Sequence, residues 1–229
     1  MADAISNNQF HHPPPTVYQP LTQTISVIGP QYLAPYPVDL TITEKTFSLT
    51  DGDYTVTDVN GNIVFKVKGK LLSLRDKRSL VDASGNTLVT MRQKPIFTTA
   101  HDRWQAFRGK STDSNDLLFS VKRSAIIQSR TELDVFFAKN ISEEVCDLKI
   151  KGGPFEGSCN IFHGNSDVVV ALMRKQCTTD GITAFEVKIY PNVDYAFIVG
   201  LIIILHEIKT CTEELIKTAV QAIQLAQEI

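Results

Sequence analysis

Between Tyr195 and Leu205 the chain runs through eleven uncharged residues, YAFIVGLIIIL, and this run arrives only after a long succession of short, strand-like segments. Crossing a bilayer core takes about 20 such residues, so the run is read as a helix buried in protein and no transmembrane span is expected. It is apolar around most of its circumference, with Ile202, Ile203 and Ile204 in succession, and such a helix has to be surrounded on all sides. Pro191 suits its first turn, and Asn192 or Asp194 can cap its free amides. A sheet closed around the helix meets the demand for burial.

The preceding text has the pattern such a sheet needs. Tyr54–Val59 and Asn62–Lys68 flank Asn60-Gly61, a strong hairpin signal. Alternation places Val56, Ile63, Phe65 and Val67 inward, with Lys66 and Lys68 on the opposite face. Leu80 to Arg92 repeats the design around an Asp/Ser/Gly turn. Further strands are expected at Trp104–Arg108, Leu117–Lys122, Glu132–Phe137, Cys146–Lys151, Cys159–His163, Val168–Lys175 and Ala184–Tyr190. Many short, evenly spaced strands indicate a barrel or sandwich.

Three regions follow. Residues 1–31 are rich in Pro, Gln, Asn and Thr and read as a flexible tail, since they lack the apolar content that offsets ordering entropy. Residues 32–209 form the domain. Thr210-Cys-Thr-Glu213 has the form of a capping box and predicts a second, amphipathic helix over 210–229, with Leu215, Ile216, Ala219, Ile223 and Ala226 on one stripe. This stripe either packs on the domain or takes a protein partner.

Charge is segregated along the chain. Residues 61–130 hold 14 Lys/Arg against 5 Asp/Glu although the whole chain carries −2, which suggests a basic face able to meet phosphates. Lys66, Lys68 and Lys70 lie at period two on one strand. Arg75, Lys77 and Arg78 fall in the loop expected next, so these donors can converge on one anionic headgroup. Lys122 and Arg123, with Arg130, form a second basic group, and Arg92 with Lys94 a third.

Nothing comparable points to catalysis. His101 and Asp102 are adjacent in sequence, but on a strand neighbours point to opposite faces, and no nucleophile motif lies nearby. Trp104 and Phe107 are expected in packing and Arg103 in a local ion pair. No phosphate-cradling glycine loop and no DNA-reading motif are present. Cys146, Cys159, Cys177 and Cys211 are spaced by 13, 18 and 34 residues, which fits neither a metal pair nor a dense disulfide framework. No enzyme activity, cofactor or metal is expected. The first thirty residues carry Asp3 as their only charge, so no secretory leader is expected, and Asn140-Ile-Ser142 is not read as a glycosylation site.

Several motifs in order, Ala34-Pro-Tyr-Pro-Val-Asp39, Ser48-Leu-Thr-Asp-Gly52, Asp58-Val-Asn-Gly-Asn62, His101-Asp-Arg-Trp104, Phe107-Arg-Gly109, Asp134-Val-Phe136, Asp147-Leu-Lys149 and Tyr190-Pro-Asn-Val-Asp-Tyr-Ala-Phe-Ile198, resemble the plant LURP-one-related family. The resemblance covers about Pro30 to Ile208. It implies a mainly β domain with a C-terminal helix: a twelve-stranded antiparallel barrel of tubby C-terminal-like type enclosing a hydrophobic helix, related to phospholipid scramblases. It further implies a noncatalytic regulatory module that binds phosphoinositide or another anionic membrane phospholipid, with a link to pathogen defence. The expected location is cytoplasmic, peripheral at the plasma membrane or nuclear. A protein-interaction scaffold with no lipid ligand is the alternative. No tubby lipid-binding residue transfers to a numbered position here, because no shared motif fixes one.

Overall fold

The computed structural model describes residues 21, 23–44, 54–69, 77–94, 103–124, 132–152, 157–177 and 182–227. Its strands are β1 (Val38–Glu44), β2 (Tyr54–Thr57), β3 (Ile63–Gly69), β4 (Lys77–Asp82), β5 (Thr87–Gln93) and β6 (Arg103–Arg108), then β7 (Leu117–Arg123), β8 (Glu132–Phe137), β9 (Leu148–Gly152), β10 (Ser158–His163), β11 (Val169–Cys177) and β12 (Thr183–Ile189). Each strand pairs antiparallel with its sequence neighbours, and β1 pairs with β12, so the sheet closes on itself. Closure removes the free edges that would otherwise invite strand addition. This is the twelve-stranded antiparallel barrel that the resemblance implies.

One face of every strand points inward by simple alternation. Phe65 and Val67 of β3, Leu80 of β4, Met91 of β5, Trp104 of β6 and Phe119 of β7 are all buried. Ile63 departs from the expectation: it is 43% exposed. A bulge between Val56 and Thr57 sets Thr57 opposite Ile63 at the rim of the barrel, where the interior no longer covers it. The two hairpin loops are built alike. The Asp58 carboxylate accepts from the Asn60 and Asn62 amides at 2.9 Å and from the Asn62 side chain at 3.0 Å, and Asp82 accepts from both Asn86 groups at 2.8 and 3.0 Å. Gly61 and Gly85 take φ of +79° and +88°, a region open to glycine at little cost.

The barrel axis is filled by one helix, α1 (Tyr195–Gln227). Ala196 to Val199 and Leu201 to Leu205 are at most 1% exposed, and each fully buried aliphatic side chain is worth about 1.5–3 kcal/mol of transfer from water. The break expected at Thr210 is absent. No Gly or Pro follows Lys209, so the helix has no stop signal, and the Thr210–Glu213 amides continue the i→i−4 ladder rather than waiting for a cap. Val220 is 46% and Ile223 59% exposed, so these two apolar side chains stand in solvent.

The start of the domain also differs from the sequence reading, which ends the tail at residue 31. Ile25 and Ile28 belong to the core. Ile25 forms a parallel bridge with Val193, its N–H donating to Asn192 O and its carbonyl accepting from Asp194 N, both at 2.9 Å. The fully buried Asp194 locks this strap to the helix: one oxygen accepts from Phe197 N at 3.0 Å, and the other from Val27, Ile28 and Gly29 N–H at 3.1, 2.7 and 3.1 Å. Burial holds the Asp194 carboxyl above its ordinary pKa against the pull of these four amide donors. Two apolar anchors in a polar stretch suffice because a single distant carboxylate satisfies the amides of Val27, Ile28 and Gly29.

A candidate anion-binding groove on the outer face

Register decides which basic side chains share a face. Lys68 of β3 lies opposite Ser79 of β4, Lys77 opposite Arg92 of β5, and Ser79 opposite Thr90. With Leu80 and Met91 directed into the core, alternation turns Lys66, Lys68, Lys77, Ser79, Thr90 and Arg92 outward. Lys68, Gly69, Lys77, Ser79, Thr87, Thr90 and Lys110 line a groove of about 280 Å³ on this surface.

Lys110 reaches the groove from the turn after β6. Gly109 takes φ of +59°; its N–H donates to Leu88 O at 2.8 Å and its carbonyl accepts from Thr90 Oγ1 at 2.7 Å. Thr90, 1% exposed, therefore fixes the peptide that carries Lys110. Three ammonium groups and the hydroxyls of Ser79 and Thr87 line the groove, the Thr90 hydroxyl being spent on Gly109 O; no carboxylate lines it, and among the described residues none of the three lysines has an ion-pair partner. Such a donor set suits a phosphate, which offers several strong acceptor oxygens.

The other sequence-predicted residues go elsewhere. Lys77 and Arg78 lie on β4 rather than in a loop, and consecutive positions face opposite ways. Arg78 points inward and forms a bidentate pair with Glu207 of α1 at 2.8 and 2.9 Å. Beside it Tyr54 Oη meets His206 Nδ1 at 2.7 Å and Glu207 Oε1 at 3.3 Å. Burial pushes His206 down to about 4, helped by Lys175, Lys209 and Arg78, and holds the Tyr54 phenol far above its ordinary value. Arg123 donates to Ile208 O at 3.4 Å. Lys122 faces outward but meets Glu143 at 3.5 Å and stacks 4.5 Å from the Phe136 ring centroid. Lys70 and Arg75 lie outside the described residues, as do His101, Asp102 and Arg130.

Trp104 and Phe107 are each 1% exposed and Arg103 pairs with Glu143, so the packing roles read from the sequence are those observed. Among the described residues no group of three or more metal-ligating side chains exists, and no helix is long and apolar enough to cross a membrane. Lys110 escaped the sequence reading because its partners come from β3 and β4; only the neighbouring Gly109, a turn residue, hinted at a fixed position.

The model of the LURP-one-related family matches residues 38–206. This chain belongs to the LURP-one-related family. It is similar to Protein LURP-one-related 15 of Arabidopsis thaliana, with 49% identity over 186 residues, covering 80% of this chain and 85% of that protein. Protein LURP1 of the same plant is 44% identical over 193 residues, covering 82% and 92%. Among solved structures, the X-ray structure of an Arabidopsis thaliana protein matches with a TM-score of 0.63 and 44% identity, over 80% of this chain and 98% of that one. The LURP-one-related match stops at residue 206, inside α1, so Glu207 and the projecting part of the helix lie beyond it.

Proposed function

We propose that this LURP-one-related chain is a noncatalytic, peripheral membrane-binding module that acts from the cytoplasm or nucleus, in keeping with a regulatory role in defence. Its ligand is the phosphate-bearing headgroup of an anionic phospholipid, with phosphoinositides the best fit. The observation that carries this reading is the Lys68, Lys77 and Lys110 groove: three cations held by rigid strands and a clamped turn, with no acid among its lining. Lys66, exposed on the same strand face, adds to the attraction.

Each lysine near an anionic surface is worth about 1 kcal/mol, so removing three weakens binding roughly 100-fold. Co-sedimentation with phosphatidylcholine vesicles, with and without phosphatidylinositol 4,5-bisphosphate, at two salt concentrations reads this directly. The Lys68/Lys77/Lys110→Ala variant is expected to lose lipid-specific, salt-sensitive binding, whereas Lys188→Ala on β12 keeps it. A folded wild-type protein that ignores every vesicle overturns the proposal. The second reading, a protein-interaction scaffold, draws on the exposed Val220 and Ile223 of α1 and becomes the better one in that case.

A further inference from the structure

At the end of the barrel where α1 begins, the strap that precedes β1 borders a second and larger cavity. This cleft has a volume of about 840 Å³, within the range of pockets that enclose most of a bound ligand. One wall is the strap itself, Gln23 to Val27. The rest of the lining includes Leu117, Phe137 and Val145, with Arg108 and Lys139 among its polar members.

The strap has one used edge and one edge that is unpaired among the described residues. Ile25 turns its N–H and carbonyl toward Asn192 and Asp194. In an extended chain the main-chain groups of the flanking residues point the other way. Thr24 and Ser26 therefore direct theirs away from the Asn192–Asp194 segment, and among the described residues neither has a main-chain hydrogen bond. The barrel proper has no such edge, because every strand is paired on both sides. Clamping of Val27, Ile28 and Gly29 by Asp194 fixes the strap in advance, so a partner strand meets an ordered template.

The rest of the lining shows what side chains such a strand carries. Val145 is 59% exposed although it lines the cleft, and Ile141 on the same loop is 91% exposed. Arg108 spends one nitrogen on Ile28 O at 3.1 Å, and its other donors have no partner among the described residues. Asp147 is the acidic residue in the lining, and its Oδ2 is already engaged by Phe137 N and Asn140 Nδ2, both at 2.8 Å. The cleft thus combines an apolar wall with a positive balance of charge, Arg108 and Lys139 against Asp147.

The geometry points to this cleft as a docking site for an extended peptide segment of a partner protein. The peptide adds to the free edge of the strap at Thr24 and Ser26, sets apolar side chains two residues apart against Leu117, Phe137 and Val145, and places an acidic residue by Arg108 and Lys139. Main-chain pairing supplies affinity and the alternate side chains supply selectivity, as in other cases of strand addition. The site is separate from the lysine groove, so its fate is independent of the lipid reading.

The test selects heptapeptides from a random display library on the full chain and measures the best binder by fluorescence anisotropy. The expected consensus is apolar-x-apolar with at least one Asp or Glu. Methylating the selected peptide's amides one at a time should weaken binding tenfold or more at alternate positions only, a period-two signature that does not depend on any protein variant. Lys139→Glu should weaken it about tenfold, and Ser26→Pro, which removes a donor with no partner among the described residues, should do the same without lowering the melting temperature. The proposal is overturned by a library with no enrichment over a bare surface, by a helical i, i+3, i+4 consensus, or by indifference to amide methylation. A consensus reproducing this chain's own residues 1–20 overturns it as well, since the occupant would then be internal.

Discussion

Replacing Asp194 by alanine removes one carboxylate and strands four donors. The Phe197 N–H at the helix start loses its cap, worth about 1 kcal/mol. Ile28 and Gly29 N–H are buried, and each unsatisfied buried donor costs about 1–3 kcal/mol; Val27 is half-buried and can turn to water. Relief from burying a carboxylate offsets about 1 kcal/mol of this. The net loss is about 4 kcal/mol, a large part of the 5–15 kcal/mol that holds a typical domain together. Asp194→Asn keeps the shape but offers one acceptor oxygen, so it serves either the helix or the strap and loses about 2 kcal/mol. Trp104 is the chain's one tryptophan and is buried, which makes its fluorescence in urea the natural assay. With a slope of about 2 kcal/mol/M, the alanine variant's midpoint falls by about 2 M, and hydrogen exchange at Val27 to Gly29 accelerates with it. A midpoint within about 0.3 M of wild type for the alanine variant refutes the view that Asp194 joins the strap to the helix, since that shift is under 1 kcal/mol at this slope.

Three further outcomes are expected. His206 titrates near 4 when folded against 6.5 when free, so the unfolded chain binds more protons between those values and stability falls by about 3 kcal/mol as pH drops across that window. His206→Phe should flatten the fall in urea titrations from pH 7 to 4, and an undiminished slope rules the histidine out as its source. Arg78→Met takes the bidentate partner from Glu207 and should cost about 3 kcal/mol, whereas Arg78→Met combined with Glu207→Met should recover most of it; equal losses in the single and double variants would contradict the pairing. At Gly200 an added Cβ would sit 3.6 Å from Met91 Sδ and 3.8 Å from Phe119 Cζ, ordinary contacts, so Gly200→Ala should stabilise by up to about 1 kcal/mol. Gly200→Leu should lose about 1–3 kcal/mol by overpacking, and a destabilising alanine in thermal melts would mean the helix lies closer to the wall.

Elements written in local sequence were legible. The strands came from alternation, the twin hairpins from Asp58 to Asn62 and Asp82 to Asn86, and the axial helix from its uncharged run. The strap was missed because Ile25 and Ile28 sit among Thr, Ser and Gln, and their partner Asp194 is more than 160 positions away. Similarly, the capping-box pattern at Thr210 does not start a new helix, because no Gly or Pro follows Lys209 to end the first one. For the basic residues, period two correctly grouped Lys66 with Lys68. It could not show that Arg78 turns inward, since the first residue of β4 lay in a stretch read as loop, nor that Lys110 joins from another hairpin. Those assignments depend on register between strands, which no single strand's sequence contains.

The central helix also has a consequence for how the protein is made. During synthesis all twelve strands emerge before α1, yet their inward faces are shaped to pack on it. The first strand pairs with the second on one edge but must wait for the twelfth on the other, and the strap waits longer still, for Asp194. The nascent chain can pair neighbouring strands as they emerge, but their apolar inward faces stay uncovered until the helix leaves the ribosome, a state in which non-local topology slows folding and invites aggregation. Messages truncated before Tyr195 would yield chains unable to form a core, so only chains extending into the helix can escape surveillance by chaperones and proteases.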